Sequence, residues 1–571
     1  MGEAVHEMSA SPARGWLRLA PAVTVAAFLL PIAAGLAGTL LPAFGYLPAI
    51  GGHAFTLEPW RRLIDAPGFA TSARVTLVVG LATPLLACAI AFGFCAWAHD
   101  RALMRRIGVW LSPILAAPHS ALAIGVAFLL APSGWIARAL SPWLTGWALP
   151  PDVATVGDAN GVALVVGMLV KEVPYLVLMI AAALHQVPVR EHMAIARALG
   201  YSRETAWLKA ILPQVYTQVR LPIFAVIAFS LSVVDVALIL GPSNPPTLAV
   251  LAFRWFGDPD VALYFPAAAA ATLVFATVAS VIAAWWLGER VVAMLGLHWI
   301  ERGGRGGIAT ALCAFVAAML ALLVALALLA MLGMALWSVA AQWRFPEALP
   351  DAWSPDVWMR RWRALAAPAW NTIVVGIVAT AIAFALAVAC LENESRSQRR
   401  AGTGALWLLY LPLLVPQIAF LFGAQVLLVR AGLDGTLIAV VWAHLVFALP
   451  YLFLSLADPW RELDPRYARS ASSLGATPRR VLVAVKLPIL MRPALVACAV
   501  AFAVSVALYL PTLFAGNGRV ATLTTDAVTL ASGADRRVVG AYALLQAVLP
   551  LLAYLVAALL PALIYTQRKS R

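Results

Sequence analysis

The strongest constraint on this chain is a run of about 23 apolar residues at 19–41, matched by eleven more runs of similar length. A bilayer core about 30 Å thick takes about 20 helical residues to cross. In lipid every backbone N–H and C=O must be satisfied within the protein, so continuous runs of this kind are expected to be helices. They fall at about 17–41, 70–98, 108–131, 161–184, 217–241 and 263–288, then at about 307–337, 369–391, 404–429, 436–457, 492–515 and 538–565. The expected fold is an all-α polytopic membrane protein of about twelve spans, six and six. With 63% apolar and 12% charged residues, an ordinary soluble domain and a disordered chain are both ruled out. A membrane barrel would show short alternating segments instead.

The net charge of +14 reads as an orientation signal and not as a nucleic-acid footprint. With the N-terminus inside, the inner segments hold 23 of the 40 basic residues and the outer segments 12. The rest lie in or beside spans, and the bias places both termini in the cytoplasm. The stretch 338–368 runs against it, with Arg344, Arg360, Arg361 and Arg363 outside. The first apolar run is too long for a typical signal-peptide core and is expected to be an uncleaved span. Five cysteines without a CxxC pair argue against a disulfide framework or zinc site. The four lysines (Lys171, Lys209, Lys486, Lys569) never follow a glycine, so a GxxxxGK[ST] phosphate loop is excluded. No HExxH, GxSxG or Cys/His cluster appears either.

The chain repeats itself. Residues 194–250 align without a gap on residues 275 positions later, pairing Leu199/Leu474, Gly200/Gly475, Leu212/Leu487, Pro213/Pro488 and Gly241/Gly516. Pro174-Tyr175 answers Pro450-Tyr451, and Pro118 and Gly125 answer Pro416 and Gly423. Equal order across an even number of spans makes this a parallel repeat. The expected division is 1–300 and 301–571.

The loops after the fourth span of each half, 185–216 and 458–491, carry the functional signal. Each reads as an Ala-rich helical stretch, a glycine, a second short helix and a Leu-Pro leading into the next span. Glycine suits a sharp helix end. Ser202 and Thr477 stand where an N-cap would follow, and Pro213 and Pro488 suit a first helical turn.

This pattern resembles the EAA loop of ABC importer permeases, the inner-membrane subunits of binding-protein-dependent transport systems. Seen twice, it makes the chain similar to a fused, double-length permease of the type I importer fold, nearest the thiamine and ferric-iron branch. The family's acidic residue falls on Ala194 in one loop and on Arg469, two residues before Ala471, in the other. Glu191, one helical turn before Ala194, is the candidate substitute, with Asp464 a poorer one. The resemblance implies two cytoplasmic ATPase subunits that bind ATP and magnesium. It also implies a periplasmic substrate-binding protein, and no catalysis or cofactor in this chain.

Charges inside a bilayer cost about 2.5–3.5 kcal/mol on insertion scales and so suggest function. Lys171 and Glu172 fall mid-way along the fourth span, pointing about 100° apart on a helix. Asp235 falls late in the fifth span, where its repeat partner is Leu510. These three are expected to line a translocation path that favours a cation. His444 reads as a packed core histidine. The competing function is an ion-coupled secondary transporter of two six-span halves. A membrane enzyme lacks any catalytic constellation.

Overall fold

The structure, a computed structural model, describes residues 13–397, 402–533 and 535–569. Arg399, Arg400 and Arg571 of the basic count lie outside the described residues. Among the described residues, ten helices are long and apolar enough to cross a membrane, or up to twelve if each of two bent pairs is one span.

The first half holds α1 (Ala13–Ala43), α2 (Phe69–Ala98), α3 (Ala102–Ala116), α4 (His119–Leu130), α5 (Val162–Leu184), α6 (Val189–Ala198), α7 (Arg203–Ser232), α8 (Asp235–Leu240), α9 (Leu248–Phe256) and α10 (Tyr264–Glu301). The second holds α11 (Ile308–Val339), α12 (Trp362–Ser397), α13 (Thr403–Leu414), α14 (Gln417–Arg430), α15 (Leu437–Arg461), α16 (Pro465–Ser473), α17 (Pro478–Ile489), α18 (Met491–Ala507), α19 (Leu510–Gly516), α20 (Leu523–Ala531) and α21 (Arg536–Lys569). A two-residue by three-residue antiparallel ribbon, β1 (Ala340–Gln342) with β2 (Ala352–Trp353), is the departure from an all-helical chain.

Four expected spans are broken, and prolines account for two of the breaks. The third stops at Ala116, because Pro118 drives Ala117 into extended backbone (ψ 134°) before α4 begins. The ninth breaks before Pro416, where α13 and α14 meet at 101°. The fifth starts earlier than expected, at Arg203, and ends at Ser232. Val233 turns extended there, so Asp235 opens the short helix α8 instead of closing the fifth span. The eleventh likewise ends at Ala507 and is followed by α19.

The halves are held together by exchange of their first helices. α1 packs on α14 and α12 of the second half, while α11 packs on α2 and α4 of the first. Both contacts are backbone-close. A Cβ on Gly38 would lie 2.8 Å from the Gly423 Cα, and one on Gly423 would run into the Gly35 carbonyl oxygen. The Gly423 N–H donates to Thr39 Oγ1 at 3.1 Å. In the mirror contact a Cβ on Gly125 would lie 2.7 Å from the Ala330 carbonyl oxygen. Small residues at such crossings let helices approach until dispersion holds them in a solvent that offers no hydrophobic drive.

A second repeated joint sits at the N-termini of α9 and α20. The Leu248 N–H donates to Thr76 Oγ1 and the Leu523 N–H to Thr372 Oγ1, each at 2.9 Å. Each threonine in turn donates one helical turn back, to Ser72 O and Pro368 O. On the face opposite the two long loops, Arg138 donates to the carbonyls of Ser133 (2.9 Å) and Arg344 (2.7 Å), and lies over the rings of Trp337 and Trp343. Arg536 reaches Ser133 as well. Segments 131–160 and 338–347 are therefore latched on one side.

Gly423→Val is expected to lower stability by about 1–3 kcal/mol through overpacking of the α1–α14 crossing. Thermal unfolding in detergent, beside the same change at the open helical position Gly108, would measure it.

Candidate functional site: two repeated loops and a polar cluster between the halves

Each loop is built on a left-handed glycine. Gly200 (φ +83°) ends α6 and Gly475 (φ +82°) ends α16, a conformation in which a side chain would be strained. The expected caps are present: Ser202 accepts from the Thr205 N–H and Thr477 from the Arg480 N–H. The Leu-Pro pairs do something the sequence reading missed. In both halves they follow a π-turn, Trp207–Ile211 and Leu482–Lys486, closed by i→i−5 bonds from Leu212 to Trp207 and from Leu487 to Leu482. The widened turn relieves the clash that a proline ring makes with the carbonyl four residues back. Helix α7 thus runs on from the loop into the membrane. The second half bends by 80° between α17 and α18. Pro493 stands there, where the 275-residue offset places Gln218 in the first half.

The outward face of the loops is exposed. Ile195 and Leu199 are exposed on the first, Tyr467 and Leu474 on the second, where Leu474 reaches 88%. Glu191, Ala194 and Arg469 are exposed as well. Ala196 is buried and Ala471 half-buried, so these alanines face inward. Asp464 is occupied as the N-cap of α16, accepting from the Arg466 N–H at 2.8 Å.

The inward face is anchored differently in each half. Lys209 Nζ donates to the carbonyls of Trp299 and Gly304, both at 2.9 Å, and sits against the Tyr201 and Trp299 rings. The Ser202 N–H donates to the Arg305 carbonyl. Lys486 Nζ instead donates to Glu392 Oε2 (2.6 Å) and Ser395 Oγ (3.1 Å) on α12, while Arg396 holds Glu392 Oε1 at 2.7 Å.

Within the membrane, polar groups from both halves gather around the break between α3 and α4. Lys171 Nζ donates to the Ala117 carbonyl at 2.5 Å, a group freed by that break. Glu172, almost fully buried, meets His119 Nε2 at 3.1 Å. Lys171 and Glu172 thus engage different partners, as their angular separation requires. Asp235 lies close enough to Lys171 to interact electrostatically, and so does Tyr509 of the second half with Asp235. Tyr175 and Tyr451, related by the repeat, stand within the same range of each other and of Glu172. His444 is fully buried and hydrogen-bonded through both ring nitrogens, to Ser505 Oγ (2.7 Å) and Thr512 Oγ1 (2.8 Å), the arrangement of a packed core histidine.

Two members of the cluster escaped the sequence reading. His119 follows Pro118, which the repeat had already marked; its counterpart is Gln417. Gln546 of α21 donates to Ser120 Oγ (2.8 Å) and Thr524 Oγ1 (2.7 Å), tying α4 to the second half. A lone glutamine in an apolar run gave no signal beyond its presence there.

Lys486→Met removes the donor of Glu392 Oε2 while Arg396 keeps Oε1 occupied. The expected cost is about 1–3 kcal/mol, read by thermal unfolding.

No protein-family profile matches the chain. It is 32% identical over 508 residues to "Inner membrane ABC transporter permease protein YnjC" of Escherichia coli (strain K12), covering 89% of this chain and 91% of YnjC. It is 25% identical over 155 residues to "Putrescine transport system permease protein PotI" of the same organism, covering 24% of this chain and 54% of PotI. The loop pair and the length-wide likeness to YnjC lead to one assignment: the chain belongs to the inner-membrane ABC transporter permeases, and is a multi-pass membrane protein of that family.

Proposed function

We propose that the chain is the permease subunit of an importer that carries a small solute from periplasm to cytoplasm. Its two units are 1–300 and 301–571, and both termini are cytoplasmic. The repeated loops carry this reading: two equivalent, outward-facing helix–glycine–helix elements suit two copies of an ATPase. ATP and magnesium belong to that partner, and a periplasmic binding protein delivers the solute at the opposite face. Glu191, Ala194, Gly200, Leu212 and Pro213 form one docking loop, and Arg469, Ala471, Gly475, Leu487 and Pro488 the other. Closure of the ATPase pair biases a two-state equilibrium between inward-facing and outward-facing arrangements. The loops act as levers in this scheme, and α7, continuous from the first loop into the membrane, transmits the push directly.

The solute is a thiamine-like or other cation, or ferric iron. Two carboxylates, Glu172 and Asp235, against one ammonium, Lys171, support this, with tyrosines from both halves around them. PotI is named for putrescine, itself a cation. A tagged copy of the chain is expected to co-purify with its ATPase at two ATPases per chain; recovery without any ATPase would defeat the proposal. Gly200→Pro and Gly475→Pro are expected to abolish ATP-driven uptake while leaving membrane insertion intact. Asp235→Asn is expected to reduce uptake of the cationic solute by about tenfold, the worth of roughly 1.4 kcal/mol, with ATPase binding unchanged.

A further inference from the structure

The last third of α10 is long, apolar and exposed. Helix α10 has 38 residues, about 57 Å at 1.5 Å per residue, far beyond a hydrocarbon core of about 30 Å. Beyond Trp285 it stays apolar, and Leu287, Val291, Val292, Met294, Leu295 and Leu297 are each more than half exposed. Its charges are few, and the exposed His298 and Glu301 stand together at its very end. Glu289 accepts from Tyr216 (2.7 Å) and is paired with Arg220 on the bundle side, and Arg290 folds back over the Trp286 ring at 3.9 Å. The corresponding end of α21 turns polar, closing on Gln567-Arg568-Lys569.

In water such a surface would be an apolar patch without a partner. The lipid-facing side of α10 continues into it past Glu289, paired on the bundle side, and Arg290, folded over Trp286, so its occupant is the one that already covers the rest of the helix. We infer that residues 286–300 of α10 lie in the phospholipid leaflet on the loop side, at the boundary between acyl chains and headgroups, with the exposed Arg302 reaching lipid phosphates. A tilt of about 40° brings the whole helix within the about 40–45 Å that includes both headgroup layers. The same helix end is fastened to the first loop through Lys209, Trp299 and Gly304. The second loop is fastened to α12 through Lys486 and Glu392 instead. The leaflet therefore holds one loop directly and the other only through protein.

The test uses the full chain without ATPase, in vesicles of phosphatidylethanolamine and phosphatidylglycerol at 3:1. The five native cysteines are replaced by alanine or serine, and one cysteine is introduced by Leu295→Cys or Leu297→Cys, or by Ser473→Cys in the exposed α16. A water-soluble maleimide is expected to label the Ser473→Cys protein at least about tenfold faster than the other two. A bimane attached at 295 is expected to be quenched when brominated phosphatidylglycerol replaces the ordinary lipid. Equally fast aqueous labelling at all three positions would overturn the inference. So would protection at 295 and 297 that appears only when the ATPase is added, which would assign the surface to that protein. Monodisperse elution of each variant shows that it is folded, so slow labelling reports burial in lipid.

Discussion

The structure depends on two places where helices touch backbone to backbone. At Gly38–Gly423 and at Gly125–Ala330 a first helix from one half lies so close to the other half that no Cβ fits. In a soluble protein, water would drive these helices together. In a bilayer the lipid tails are as apolar as leucine, and association rests on contact and hydrogen bonding. The bond from the Gly423 N–H to Thr39 Oγ1 adds direction to the contact. Because the exchange is reciprocal, neither half presents a complete helix bundle without the other. The polar cluster around Lys171, Glu172 and Asp235 is built within the first half, with Tyr451 and Tyr509 of the second near it.

Much of this was legible in the residues. The apolar runs placed most of the spans within a few residues, because the bilayer leaves helix as the solution for each. The left-handed glycines at 200 and 475 and the caps at Ser202 and Thr477 were readable because a sharp turn admits few residue types. Gly125 and Gly423 were visible as a repeat, but their purpose was not, since a close crossing is a property of two helices. The breaks at Pro118 and Pro416 were underread. Proline is tolerated in membrane helices often enough that its position alone does not say whether the chain kinks or stops. The end of the fifth span at Ser232 had no proline to mark it, and Asp235 was misplaced with it. His119 was missed because its role comes from the freed end of α3 and from Glu172, fifty-three residues away.

The repeat is closer in backbone than in chemistry. Both halves have the glycine turn, the π-turn and a buried lysine on that turn. Yet Lys209 is satisfied by two carbonyls at the end of α10, and Lys486 by a carboxylate on α12. Pro493 bends one path into the membrane by 80° while the other runs through unbroken. Lys171, Glu172 and Asp235 all belong to the first half, and Asp235 answers to Leu510 in the second. A symmetric scaffold thus carries two unequal loops and a one-sided polar site.

The exchange of first helices also sets a timetable. The Gly423 N–H that meets Thr39 is made 384 residues later. At translation rates of about 5–20 residues per second, that is a wait of about 20–75 s. For that interval α1 stands in the bilayer with Gly35, Gly38 and Thr39 turned to lipid and no partner to receive them. Whatever keeps a nascent membrane helix in place must hold α1 for most of the synthesis of the chain. Helices α12 and α14, made in the second half of synthesis, then complete the packing of the first.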